Sequence, residues 1–208
     1  VLNTINIRLD AKTITYILDH SDAKVLVVDR QLHGEVKKAL SNLDKKTVLK
    51  VASVLEKFNH PDQIVELTDT ARSALDASKA LNVPVGAIVK TLIFIIDDNA
   101  ENYPVVALVS GDKLCNTRAI PKLLNIEGKV RRPDADIVKD VTGYSIGGVS
   151  PIGLPDGISI IMDTSLKRFD KIWSAAGHTH CVFPATFEEL KDMTGALESD
   201  LISQEKEE

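Results

Sequence analysis

The chain has 208 residues, 44% of them hydrophobic and 26% charged, with a formal net charge of −5. Apolar runs such as Leu92 to Ile96 are far too short to span a bilayer, and the acidic balance argues against nonspecific coating of nucleic acid. A chain of this length needs no disulfides or metal to fold, and its two cysteines, Cys115 and Cys181, form no metal-ligand spacing, which fits a reducing cytoplasm. The stretch "VLNTINIRLD" has neither a basic start nor a long apolar centre, so no signal peptide is expected.

In chain order, "TITYILDHSDAKVLVVD" reads as a helix with Ile14, Ile17 and Leu18 on one face, followed by the short buried strand "KVLVVD". "RQLHGEVKKALSNLDKKT" is a polar, helix-prone connector, and the boundary near Lys46 is soft. From Thr47 the pattern becomes denser. "VLKVASVLEKFN" is an amphipathic helix and "QIVELT" a strand. "ARSALDASKALNV" is a second helix, with Ala74, Ala77 and Leu81 inward and Ser73 or Thr70 as its cap. Pro84 opens one more helical turn.

The strands "KTLIFIID" and "YPVVALVS" follow, joined by the polar turn "DNAEN". "NTRAIPKLLN" is a short helix capped by Asn116 or Thr117. "PDADIVKDVTG" is another, with Pro133 ahead of its first turn and Gly143 as a left-handed stop. "GISIIMD", "KIWSAAG" and "HCVFP" read as strands. The helix "TFEELKDMTG" opens with a Thr186/Glu189 capping box and stops at Gly195. The acidic tail "ALESDLISQEKEE" is expected to fray. Strands and helices mix without a strict βαβ rhythm. This order predicts a mixed sheet, partly antiparallel, with helices packed around it.

Familiar catalytic signatures are missing. The chain has no G-x-S-x-G elbow, no P-loop and no H-E-x-x-H. His178 and His180 share a strand face but lack a third ligand, so they read as strand-end histidines, and no metal or cofactor is called for. Cys181 borders the apolar "CVF" and reads as a packed residue. "KVRRP" (Lys129 to Pro133) and "SLKRFDK" (Ser165 to Lys171) are basic islands, open to two readings: solvated loops or phosphate contacts.

Lys90 stands alone as a charge between "VPVGAIV" and "TLIFII". It either snorkels from a strand end or points a cation into a pocket. "YSIGGVSPIGLPDG" packs four glycines and two prolines into fourteen residues. Gly147 and Gly148 have no Cβ, so their amides can face a ligand as an anion-binding nest. A ligand-free glycine turn is the other reading of that pair.

Taken together, "ARSALDASKALNVPVGAIVKTLIF", "ALVSGDKL", "RRPDADIVKDVTGYSIGGVSPIG" and "WSAAG" resemble the YbaK/prolyl-tRNA-synthetase-associated editing domains. The resemblance covers residues 47–197. It implies an α+β fold whose mixed sheet is barrel-like and surrounded by helices. It also implies a hydrolase that cleaves the ester between a wrong amino acid and its tRNA, of the Cys-tRNA(Pro)/Ala-tRNA(Pro) editing type. Lys90 would be the family lysine at the 3′-terminal adenosine. Gly147 to Pro151 would be the family G-x-x-x-P loop, whose backbone holds the aminoacyl carbonyl, with Gly148, Val149 and Ser150 inside it. Attack would be assisted by the substrate's own ribose hydroxyl or thiol. Softer matches place Ser73, the turn Ser110, Gly111 and Asp112, and the strand end Ala175, Ala176 and Gly177 at the pocket. Aminoacylated tRNA is the implied partner, with an aminoacyl-tRNA synthetase as a second.

Residues 1–46 resemble a fragment of an acyl-CoA synthetase or related adenylate-forming enzyme, without its phosphate loop, acyl pocket or lid. No ligase activity is carried over. Residues 198–208 form the acidic tail. The leading expectation is a deacylase acting in trans in the cytoplasm. The alternatives are a silent tRNA- or synthetase-binding module of the same fold, or a fragment that docks on an acyl-CoA synthetase through residues 1–46.

Overall fold

A computed structural model describes residues 10–14, 33–68, 73–98 and 101–205, with the backbone alone at residues 33 and 35–45. The "KVLVVD" strand, Ile17, Leu18 and the alternative cap Thr70 lie outside the described residues. Residues 11–14 are helical, and Ile14 is buried. Helix α1, His33–Lys57, runs unbroken through position 46 and contains most of the amphipathic stretch expected from Val48 onward. Its Val51 and Leu55 are buried.

Two long strands form the centre, β2 (Val89–Asp97) and β3 (Asn102–Ser110). In β2, Val89 and Ile93 face one core while Phe94 and Ile96 face another. In β3, Val106 and Leu108 face the first core and Val105, Ala107 and Val109 the second. Apolar residues on both faces are what a central strand requires. The pair is antiparallel, with Ile93 opposite Val106. β5 (Lys129–Arg131) joins β2 antiparallel, and β6 (Ser159–Asp163) and then β9 (Leu197–Ser199) add in parallel, giving the order β5-β2-β3-β6-β9. A second sheet has the order β1 (Val65–Glu66), β8 (Cys181–Ala185), β7 (Ile172–His178). A short pair joins β4 (Leu114–Cys115) to β10 (Ser203–Gln204).

The mixed, partly antiparallel sheet is present, but the barrel-like closure expected from the family is not. Among the described residues, β7 meets the β2 side of the large sheet only at an isolated bridge, Ile88 to Trp173. β5 is too short to help, since it pairs with β2 only over Ile95–Asp97. The β2 edge from Val89 to Phe94 therefore has no ladder to continue, and the sheet stays open.

The helices follow their local signals. α2 (Ala74–Leu81) is capped by Ser73, whose hydroxyl accepts from the Asp76 amide at 3.1 Å. A 3₁₀ turn at Val85–Ala87 follows Pro84. α3 (Ile120–Leu124) begins from a 3₁₀ turn without the side-chain cap expected of Asn116 or Thr117; Pro121 opens its first turn instead. α4 (Ala135–Thr142) is capped by Asp134 and stops at Gly143, φ +75°. α5 (Phe187–Thr194) has the Thr186/Glu189 capping box and stops at Gly195, φ +62°.

The tail expected to fray instead supplies β9 and β10. Ile202 is fully buried in the second core and anchors it there. No helix among the described residues is long and apolar enough to cross a membrane.

Helix α1 seats directly on β7. Thr47 Oγ1 donates to the Gly177 carbonyl at 2.7 Å, and Gly177 has φ +85°. A Cβ there would lie 2.8 Å from the Thr47 carbonyl carbon and oxygen. Gly177→Ala is therefore expected to destabilise the fold by about 2 kcal/mol, from left-handed strain plus the clash. That corresponds to a thermal-melt drop of roughly 4–8 °C. An unchanged melting temperature would remove this contact as the reason for the glycine.

Candidate functional site

A cavity of about 440 Å³ occupies the seam where β2 and β7 fail to pair. Val89 to Ile93 form one wall and Trp173 to Ala175 another. Ser73, Ala74 and Ala77 close it from α2, while Arg132, Pro133 and Val138 approach from the β5–α4 side. Ile146, Gly147 and Val149 bring in the glycine loop.

Lys90 and Gly147 thus share one cavity although 57 positions separate them in the chain. The Lys90 ammonium, half-buried, donates to the Lys113 carbonyl. The turn that presents this carbonyl is tightly held. The Lys113 amide donates to the Ser110 carbonyl at 3.0 Å. Ser110 Oγ donates to the Gly86 carbonyl at 2.6 Å and accepts from Arg168 at 3.0 Å. Arg168 also forks onto both Asp112 oxygens, at 2.9 and 3.0 Å. Buried Asp163 completes the network, accepting from the Ser110 amide at 3.2 Å and from Ser165 Oγ at 2.6 Å. Burial works to raise the Asp112 pKa, but hydrogen bonds from Arg168 and Ser110 and the Arg168 charge outweigh it, so the carboxyl sits below its ordinary value.

The glycine loop divides its labour. Gly147 has φ +91° and lines the cavity. Gly148 is buried against β7, where a Cβ would come within 2.9 Å of the His178 backbone, and its amide donates to the Ser145 carbonyl at 3.0 Å. The consecutive pair of ligand-facing amides expected at Gly147 and Gly148 is therefore broken at its second member. Fully buried Tyr144 pins the loop's exit, its hydroxyl donating to the Ile152 carbonyl at 2.9 Å. Burial pushes that phenol up to about 12. Gly153, φ +70°, lets it approach, since a Cβ there would meet the Tyr144 oxygen at 2.7 Å.

The expected pocket residues separate into two groups. Lys90, Gly147, Ser73, Val149 and Ala175 line the cavity. Gly148, Ser110, Gly111, Asp112, Ser150, Pro151, Ala176 and Gly177 are not in its wall. Gly111, for example, lies so close to Val85 that a Cβ would be 2.1 Å from its carbonyl oxygen.

Sequence reasoning did not single out Thr91, Trp173, Ser174 or Val182. For Trp173 a signal existed. Alternation along β7 leaves Trp173 and Ala175 half-buried while Ile172, Ser174 and Ala176 are buried, so a strand reading predicts Trp173 on the Ala175 face.

The two basic islands differ. In the second, Lys167 pairs with Glu198 at 3.0 Å, Arg168 with Asp112, and Lys171 with Asp62 at 2.8 Å. From the first, Arg132 and Pro133 reach the cavity wall.

Neither cysteine is poised for chemistry. Burial pushes the Cys115 thiol up to about 11, against the pull of Lys90 and Arg132, and it raises Cys181 as well. His178 and His180 stack, with ring centroids 5.4 Å apart. Among the described residues no group of three His, Cys, Asp or Glu side chains could hold a metal.

The profile of the aminoacyl-tRNA editing domain matches residues 68–193, and the chain belongs to that family. A proline–tRNA ligase from Lactobacillus helveticus is 31% identical over 140 residues, covering 65% of this chain and 24% of the ligase. The chain thus spans about a quarter of the length of the first curated relatives it matches. YwhH of Bacillus subtilis, an uncharacterized protein, is 25% identical, with 66% of this chain and 84% of YwhH covered. Among solved structures, a proposed trans-editing enzyme for prolyl tRNA synthetase superposes with TM-score 0.67 at 30% identity, covering 76% of this chain and 97% of its own.

Arg168 is exposed, so its pair with Asp112 is screened by solvent, and Arg168→Gln is expected to lower stability by about 1 kcal/mol or less. Because the Asp112 pKa is depressed in the fold, its contribution is complete above the ordinary carboxylate pKa near ~4 and fades as pH falls through the folded value. Melts of the wild type and the variant should therefore converge as pH drops below about 4. A difference between them that grows on acidification would contradict the assignment.

Proposed function

We propose that this protein hydrolyses the ester bond joining a mischarged amino acid to its tRNA, acting in trans on Cys-tRNA(Pro)- or Ala-tRNA(Pro)-type substrates in the cytoplasm. The observation that carries the reading is the shared cavity of Lys90 and Gly147. It sits in a chain whose family is that of aminoacyl-tRNA editing domains.

In this reading the acyl group enters the seam between β2 and β7. Water attacks the carbonyl carbon, the C–O bond to the ribose breaks, and negative charge gathers on the carbonyl oxygen. Backbone amides of the loop at Gly147 and Val149 receive that oxygen, as in other acyl-transfer sites. Hydrogen bonds among the described residues leave these two amides without a protein acceptor, in contrast to that of Gly148. Lys90, steadied by the Lys113 carbonyl, supplies a cation to the terminal nucleotide. Arg132 at the rim extends that positive edge toward the phosphate backbone. The proton taken from water passes to the leaving ribose oxygen, with the substrate's own hydroxyl or thiol as relay.

A panel of mischarged tRNAs tests this. The wild type is expected to release amino acid from at least one of them. Lys90→Ala should slow that release by about 10²–10³-fold, the usual scale for loss of one electrostatic contact in an acyl-transfer site, while the melting curve is retained. Gly147→Ala should do the same, with some added instability from its positive φ. Salt-sensitive tRNA binding with no release from any member of the panel would favour a silent binding module instead.

A further inference from the structure

Asp163 is the last residue of β6, and only 1% of it is exposed. Its carboxylate is held by donors from two directions. Oδ1 accepts from the Ser165 amide at 2.9 Å and so caps the 3₁₀ turn Thr164–Arg168. Oδ2 accepts from Ser165 Oγ at 2.6 Å and from the Ser110 amide at 3.2 Å. A cap needs only one oxygen. The bond to Ser110 spans 53 positions of the chain, and capping does not account for it. β6 runs parallel to β3 with Met162 opposite Leu108, a register that carries Asp163 to the end of β3, where Ser110 stands.

Ser110 opens a turn that closes when the Lys113 amide donates to the Ser110 carbonyl at 3.0 Å. Three contacts fix this turn. Asp163 takes the Ser110 amide, and Ser110 Oγ donates to the Gly86 carbonyl at 2.6 Å. Gly111 packs so tightly that a Cβ there would lie 2.1 Å from the Val85 carbonyl oxygen. Val85 and Gly86 belong to the 3₁₀ turn that leads into β2, the strand that carries Lys90. The Lys113 carbonyl is therefore fixed relative to the backbone of Lys90, whose ammonium donates to it. A lysine stem is flexible, so a fixed acceptor decides where its charge rests.

We propose that Asp163 is a positioning residue: it sets the Ser110–Lys113 turn and, through the Lys113 carbonyl, the place where the Lys90 ammonium meets the substrate. Asp163 itself lies outside the cavity wall. Hydrogen bonds to an ionised acceptor are roughly twice as strong as neutral ones, which gives a carboxylate an advantage here over an amide. A misplacement of about 1 Å costs an acyl-transfer site up to ~10²-fold in rate. The proposal rests on Lys90 serving the deacylation described above.

The test is a double-mutant cycle on the full chain. Asp163→Ala and Asp163→Asn are each made alone and together with Lys90→Ala. Release from a mischarged tRNA that the wild type hydrolyses is followed with enzyme in excess, the spontaneous rate subtracted. Asp163→Ala is expected to slow release about tenfold or more, and Asp163→Asn, which keeps a neutral acceptor, less. With Lys90 already removed, neither should slow release by more than about twofold, because residues acting through one group are not additive. The cycle is repeated as calorimetric binding of a 3′-amide-linked aminoacyl-adenosine, which has no spontaneous background. There too the Asp163 variants should weaken binding only when Lys90 is present. Thermal melts identify the folded variants, and the asparagine variant decides the matter if the alanine one does not fold. Wild-type release by every folded Asp163 variant, or equal slowing with and without Lys90, overturns the positioning role and leaves the deacylase reading standing. A wild type that releases nothing from any mischarged tRNA overturns both.

Discussion

The structure depends on an edge that finds no partner. Strand β2 is paired along its whole length with β3, but on its other side β5 reaches only Ile95–Asp97. A strand edge presents backbone donors and acceptors that must be paired, covered or wetted. Here β7 approaches, makes the single bridge at Ile88 and Trp173, and goes no further. The cavity occupies the remainder of the gap, bounded by Val89–Ile93 on one side and Trp173–Ala175 on the other. Had β7 zipped onto β2, the sheet would have moved toward a barrel and the space would have been filled. The open seam and the candidate site are one feature.

Keeping two strands close but unzipped requires that each be held from elsewhere. On the β7 side, α1 supplies Thr47, whose hydroxyl grips the Gly177 carbonyl, and Gly148 packs against the His178 backbone. β8 pairs with the opposite edge of β7 and interrupts its register between Ala175 and His178, next to the cavity wall. On the β2 side, Ser110 Oγ reaches the Gly86 carbonyl and so fixes the turn that leads into the strand. Asp112, Arg168 and Asp163 then hold Ser110 in place. β10 pairs with β4 just beyond Lys113, whose carbonyl takes the Lys90 ammonium. Residues far from the cavity in sequence therefore set its width.

Signals confined to a few adjacent residues were legible in the sequence. The Thr186/Glu189 box, the Ser73 cap and the left-handed stops at Gly143 and Gly195 all obey rules that act within one helical turn. The two-faced apolar runs of β2 and β3 were equally readable, because burial on both faces leaves almost no polar position. Lys90 and Gly147 stood out as exceptions to their surroundings, and the fold brings them to one cavity. What could not be read were facts about pairs distant in the chain. Whether β7 closes onto β2 depends on strand lengths and on what holds each strand. Gly177 belongs to a small-residue motif, and only the position of Thr47 shows that its smallness serves a helix seat. The acidic tail looks solvated by composition, yet its pairing through β9 and β10 and the burial of Ile202 carry it into the second core.

Charge placement sharpens the contrast between the two basic islands in an acidic chain. Lys167, Arg168 and Lys171 face carboxylates, so their fields are largely cancelled locally, and they act as ties between elements. Lys90 has the Lys113 carbonyl oxygen as one acceptor. A carbonyl satisfies an N–H of the ammonium, whereas a carboxylate would also neutralise it. Such a bond orders a strand-bound lysine in apolar surroundings. Arg132 behaves similarly, with its guanidinium 5.7 Å from the Phe94 ring centroid at the rim of the same cavity. An aromatic face orders a cation without discharging it. Arg132 is thus held by a neutral contact, while the cations of the second island are held by ion pairs. Of the two islands, it is the first that retains the means to meet an anion.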